Sequence, residues 1–161
     1  MRTILVQMEN RRFTMQALHL ALALARNQQA QVVLLRLIPV KHLGYLGTSL
    51  GQCEMSADEQ AALRDYAATA EDYGMDITLR QMQCEDTLAA VTEAADYLDA
   101  DVVFAQVRPS WLPYWQVFRR WWLEQQLALH GRQLYTLQTP PAAASHVPMI
   151  TVKPARHSTI K

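Results

Sequence analysis

The chain has 161 residues, 50% of them hydrophobic and 19% charged, which suits one domain with its own apolar core and excludes a disordered chain. Fifteen lysines and arginines are matched by fifteen aspartates and glutamates, so no net positive field draws in phosphates and a nucleic-acid partner is not expected. The opening Met1-Arg2-Thr3-Ile4-Leu5-Val6 turns polar too soon for a secretory signal, and no run nears the ~18 apolar residues of a spanning helix, so no transmembrane segment is expected.

Residues 3–8 form a short apolar run closed by Glu9-Asn10-Arg11-Arg12, the pattern of a buried strand and a turn. From 13 to 28, Ala17, Leu18, Ala21, Leu22 and Ala25 recur at helical spacing, with Thr14 as the expected cap. Residues 31–38, Gln-Val-Val-Leu-Leu-Arg-Leu-Ile, read as a second central strand that Pro39 ends. Residues 41–55, with Gly44, Gly47 and Gly51, lack a period and read as a long loop. Ser56-Ala57-Asp58-Glu59 matches a capping box and opens a helix to Tyr73, stopped by Gly74. Residues 75–83 alternate Met75, Ile77 and Leu79 with polar neighbours, which suits a strand near the sheet edge.

Asp86 or Thr87 then caps a helix to about Leu98, and Asp101-Val102-Val103-Phe104-Ala105 is a fourth strand. Arg108-Pro109-Ser110-Trp111-Leu112-Pro113 is a stiff connector, followed by a helix over 114–130 that Gly131 stops. Gln133-Leu134-Tyr135-Thr136-Leu137 is the fifth strand. The chain therefore divides into a domain over 1–137 and, over 138–161, a Pro/Ala linker and tail with one more strand-like stretch at 147–153. Strands alternating with helices imply a doubly wound α/β domain, a five-stranded parallel sheet with helices on both faces.

Five scattered histidines, His19, His42, His130, His146 and His157, include no pair at metal-ligand spacing, so no metal site is expected. Nucleophile-elbow, P-loop and dinucleotide glycine patterns are all missing, and no catalytic residue is nominated. Cys53 and Cys84 form no CxxC pair, which fits free thiols in a reducing cytoplasm. Glu85 and Asp86 beside Cys84 disfavour its thiolate, so it reads as inert.

Ile4-Leu5-Val6, the alanine-rich first helix, Val32-Val33-Leu34-Leu35-Arg36-Leu37-Ile38-Pro39-Val40, Gly74-Met75-Asp76-Ile77, the 88–100 helix and Asp101-Val102-Val103-Phe104-Ala105 together resemble the universal stress protein family over most of 1–137. The resemblance implies an adenine nucleotide alpha hydrolase-like fold of strand order 3-2-1-4-5. Its ATP-binding members look like a first strand ending in aspartate, with a glycine-rich phosphate loop after the fourth. Here Glu9 stands at the aspartate position, and 105–113 hold two prolines and no glycine. The donors and left-handed turns of a phosphate cradle are therefore lacking, and family-style ATP binding is not expected.

In an open α/β sheet ligands bind at the carboxyl ends of the strands where the strand order reverses. The candidate ligand set there is Gln7, Glu9, Pro39, Val40, Gln106 and Arg108, against the plainer readings that Glu9 caps the first helix and Arg108 is solvated beside a turn. Arg108 can also offer a guanidinium fork to an anion.

All four tryptophans fall within twelve positions, and Trp111, Tyr114, Trp115, Phe118, Trp121 and Trp122 make the helix over 114–130 unusually aromatic. Packing on the sheet, a partner interface and an interfacial membrane seat are the three readings of it. Leu134, Tyr135 and Leu137 on the last strand are interface candidates because family members look like homodimers joined there, and an open edge needs cover.

The expectation is a small cytoplasmic regulatory or binding module, a homodimer with no cofactor and no turnover, acting through dimerisation or partner contact. The alternatives are a stress protein binding ATP or AMP at a rebuilt site, with slow hydrolysis or sensing, and a membrane-surface module seated through 114–130.

Overall fold

The computed structural model describes residues 2–40, 54–106, 113–129 and 131–135. Arg108, Trp111, Leu137, most of the 41–55 loop and the whole 138–161 segment lie outside the described residues. The described elements run β1 (Thr3–Met8), α1 (Arg11–Gln28), β2 (Gln31–Pro39), α2 (Ala57–Asp72), β3 (Ile77–Cys84), α3 (Thr87–Tyr97), β4 (Ala100–Phe104), α4 (Pro113–Leu129) and β5 (Gln133–Tyr135).

The strands form one sheet in the order β3-β2-β1-β4-β5, parallel throughout, as the resemblance implied. Side chains alternate across it. Ile4, Val6, Leu34, Val102 and Phe104 face a core closed by Phe13, Leu18 and Leu22 of α1 and by Tyr66 and Ala70 of α2. Leu5, Val33, Leu35 and Val103 face a second core closed by Leu88 and Val91 of α3 and by Leu123 and Leu127 of α4. With both faces covered, the middles of the central strands must be apolar on both sides, which is why Ile4-Leu5-Val6 and Val32-Val33-Leu34-Leu35 read as hydrophobic runs. Each fully buried leucine contributes roughly 1.5–3 kcal/mol.

Local signals set most boundaries. Ser56 accepts from the Glu59 N–H at 3.2 Å while Glu59 accepts from the Ser56 N–H at 2.9 Å, the reciprocal box expected for α2. Asp86 caps α3 by accepting from the Leu88 N–H at 3.0 Å. Gly74 and Gly131, at φ +69° and +71°, take the left-handed turns that follow α2 and α4.

One local expectation changes. Asn10, not Thr14, caps α1, its Oδ1 accepting from the Phe13 N–H at 2.8 Å, so the helix starts at Arg11. Thr14 is buried, and its Oγ1 accepts instead from the Glu9 N–H at 3.1 Å. Pro39 ends β2 as expected, as its last paired residue, opposite Cys84. The Val40 N–H donates to the Cys84 carbonyl at 2.8 Å, so the donor Pro39 lacks would point to the β1 side. There β1 has stopped, Met8 being paired with Arg36, and the ladder loses nothing.

Candidate functional site

β1 and β4 are the adjacent strands at which the chain order reverses, and their carboxyl ends carry a polar cluster. Gln7 is buried, and its Nε2 donates to Glu9 Oε1 at 2.9 Å. Its Oε1 accepts from the Gln106 backbone N–H at 3.2 Å. Asn10 Nδ2 donates to Gln106 Oε1 at 3.0 Å. Three expected residues, Gln7, Glu9 and Gln106, thus meet, bridging two strands almost a hundred positions apart in sequence. Such a fully partnered amide is how a buried glutamine avoids the penalty of an unmade hydrogen bond. Pro39 and Val40 pair with Cys84, on the other side of β1 from Gln106.

A cavity of about 420 Å³ opens beside Glu9, between the ends of β1 and β2 and helix α2. Met8, Leu37 and Tyr66 give it an apolar side, and Glu9, Asp58 and Glu59 bring carboxylates. Arg11 and Arg36 also line it, and both are ion-paired, Arg11 to Asp65 and Arg36 to Glu59. Arg36 is 8% exposed. Its Nε and Nη2 each donate to a different Glu59 oxygen at 3.0 Å, and Nη2 also donates to the Glu54 carbonyl at 3.2 Å. The Arg36 hydrogen bonds, then the Ser56 backbone bond, hold the Glu59 carboxyl below the usual carboxylate range. Burial pushes the Tyr66 hydroxyl up.

Sequence reading placed neither Arg36 nor Asn10 in the site. The signals were present: an arginine inside an apolar strand must have a partner, and an asparagine between strand and helix is a preferred cap. Among the described residues no three His, Cys, Asp or Glu side chains group as metal ligands. Cys84 is buried, and burial first, then the Asp86 charge, raise its thiol pKa.

Among its described side chains, helix α4 buries leucines rather than aromatics. Leu123 and Leu127 are fully buried and Trp122 packs partly on the second core. Phe118 and Trp121 are 49% and 53% exposed, their rings tilted at a centroid distance of 5.9 Å, and Val117 beside them is exposed. The side chains of Tyr114 and Trp115 lie outside the described part. On β5, Leu134 packs on the second core while Tyr135 stacks on Phe104 at 5.2 Å and stays half exposed. No described helix is long and apolar enough to cross a membrane.

No protein-family model matches the sequence, and no curated protein matches it. Solved structures do. A universal stress protein in complex with cAMP superposes with TM-score 0.60 at 15% identity, over 86% of this chain and 98% of that one. A universal stress protein family member from Burkholderia pseudomallei gives 0.54 at 19% identity over 84% and 94%. The universal stress protein from Archaeoglobus fulgidus gives 0.53 at 12% identity over 86% and 94%. The chain has the fold of the universal stress proteins.

Proposed function

We propose that this chain is a universal stress protein-like binding module without turnover, which does not take ATP at a phosphate loop and acts through contact, with a second copy at the β5 edge. One observation carries the reading. The first two backbone donors after β4 are already bonded, the Ala105 N–H to the Tyr135 carbonyl at 3.3 Å and the Gln106 N–H to Gln7 Oε1 at 3.2 Å, the latter within a cluster that ties together the strand ends where a nucleotide would lie. The glycine-free 105–113 stretch supports it, since backbone donors cradle phosphate only where side chains and prolines leave room. The half-exposed Tyr135 on the short outer strand supports dimerisation there, through Leu134, Tyr135 and Leu137. Buried, unpaired Cys84 fits a reducing cytoplasm.

One observation favours a second reading, an adenine-nucleotide site. The 420 Å³ cavity beside Glu9 has room for a base, and the similar structure noted above holds cAMP. Its three carboxylates, against arginines already paired, oppose a triphosphate more than a nucleoside. Calorimetric titration of the purified chain with ATP, AMP and cAMP, with and without Mg²⁺, separates the two. No heat is the expected result. Micromolar binding that Glu9→Ala or Arg108→Ala weakens overturns the first reading and establishes a rebuilt nucleotide site.

A further inference from the structure

β3 is an outer strand of the sheet, eight residues long against three in β5 at the other edge. The Cys84 carbonyl is turned toward β2, where it accepts from the Val40 N–H at 2.8 Å. Backbone groups alternate in direction along a paired strand, so Arg80 and Met82 also bond toward β2, while the N–H and C=O of Leu79 and Gln81 point away from it. Among the described residues no backbone group bonds to those of Leu79 and Gln81. A cavity of about 200 Å³ opens on the α3 side of the same stretch, lined by Arg80, Gln81 and Met82 themselves together with Leu35, Ala94 and Leu98. Arg80 is its one charged residue, exposed and without an ion-pair partner among the described residues. Tyr97, which also lines it, is 84% exposed, more than any other large apolar side chain described.

We infer that this edge takes an extended segment of another protein as an added strand, with an acidic residue opposite Arg80 and a large apolar residue, two positions away, in the cavity. The outward groups of Leu79 and Gln81 supply main-chain bonds and the cavity reads alternate side chains, the two parts of recognition by strand addition. In an antiparallel pair the residue opposite Arg80, and those two positions to either side, lie on Arg80's face of the sheet. That is the cavity's face, since Arg80 is in register with Leu35 and Met82 with Leu37, both of the second core. The volume fits a side chain rather than a free ligand, because small-molecule pockets run to ~300–1,000 Å³.

Charge selects the occupant. A second copy added antiparallel repeats β3 about a twofold axis, and any such register centred on Leu79, Arg80 or Gln81 sets the two Arg80 side chains opposite or diagonal on one face, within about 8 Å. Like charges so placed repel, so the arginine that turns away a copy draws in an acid. The chain's own residues 136–161 hold no aspartate or glutamate and do not supply that acid. β3 lies at the opposite edge from β5, so this contact goes beyond the dimer proposed above and does not rest on it.

The test titrates the ¹⁵N-labelled full chain with the peptide Thr-Val-Thr-Leu-Thr-Glu-Thr-Val-Thr, which on antiparallel addition puts its glutamate opposite Arg80 and its leucine opposite Met82. Amide shifts confined to residues 77–84 and 94–98, with Kd below about 1 mM, are the expected result. Methylating the backbone nitrogen of the threonine between leucine and glutamate removes the N–H that faces Gln81 and should abolish binding. Arg80→Glu, at an exposed position, should weaken it about tenfold, and a peptide with lysine in place of glutamate should restore it. Shifts centred elsewhere, no binding, or binding indifferent to the methyl group or to the charge reversal would each overturn the proposal. The same amides shifting as the chain is concentrated without peptide would give the edge to a second copy and overturn it equally.

Discussion

Arg36 of β2 and Glu59 of α2 face each other as a two-point fork, Nε to Oε1 and Nη2 to Oε2, both at 3.0 Å. The same carboxylate closes the capping box with Ser56, so a single side chain both starts α2 and ties it to the sheet. Arg36 is almost wholly buried while the Glu59 side chain is 40% exposed, so the two halves are unequal. Glu59→Ala leaves a buried guanidinium without its carboxylate, with only the Glu54 carbonyl and Gln81 among the acceptors named, and should destabilise the fold by about 3 kcal/mol. Arg36→Met, which fills the space without a charge, should cost clearly less. Urea unfolding of both variants with m unchanged checks the difference.

That ion pair also sets an acid limit. The Glu59 carboxyl is held below its usual 4.5 in the folded state. Its contribution is therefore full above about pH 4.5 and is lost as pH falls through the lower folded value. Below pH 4.5, stability should fall less steeply in Glu59→Gln than in the parent chain; equal slopes in acid titration of the melting temperature would remove Glu59 from the account.

Asn10 serves two partners at once, the Phe13 N–H through Oδ1 and Gln106 through Nδ2. Asn10→Ala should cost ~1–2 kcal/mol for the cap alone, lowering the melting temperature by roughly 2–8 °C. Asn10→Asp keeps the cap acceptor and loses the donor to Gln106. It should recover most of the stability, and thermal melts of the pair apportion the two roles.

The architecture was legible because this fold writes itself in one dimension. A sheet covered on both faces demands apolar strands, and Ile4-Leu5-Val6 and Val102-Val103-Phe104 could be little else. Capping chemistry is local too, so Ser56 and Asp86 announced α2 and α3 correctly. The polar site was legible only in part. Gln7, Glu9 and Gln106 were placed by the rule that ligands gather where strand order reverses, but the bonds among them depend on rotamers that bridge distant residues. Arg36 was read as one more strand residue because its partner lies 23 positions away. The aromatic composition of α4 left its orientation open for a related reason. Ring size says how much surface a residue can cover, not which side of the helix faces the sheet, and that was settled by Leu123 and Leu127.

Cys84 is buried at the end of β3. Burial and then Asp86 raise its pKa above 9.0, so the thiol stays protonated in the folded chain. In a Cys53→Ser background, alkylation at pH 8 should be at least tenfold slower for the folded than for the urea-unfolded protein. The sign for stability follows: the contribution of the buried thiol is present below pH 9 and fades as pH rises through the higher folded value. Equal alkylation rates would mean that the turn at 84–86 opens readily.

Which face of α4 holds the fold can be read from two truncations six residues apart. Leu127 is fully buried in the second core, and Leu127→Ala should cost ~2–5 kcal/mol through lost burial and the cavity left behind. Trp121 is half exposed and touches Phe118, so Trp121→Ala should cost less than ~1 kcal/mol although it removes a far larger side chain. The inequality runs against residue size and depends only on helix orientation. Denaturant midpoints in the opposite order would mean that the aromatic side, not the leucine side, packs on the sheet.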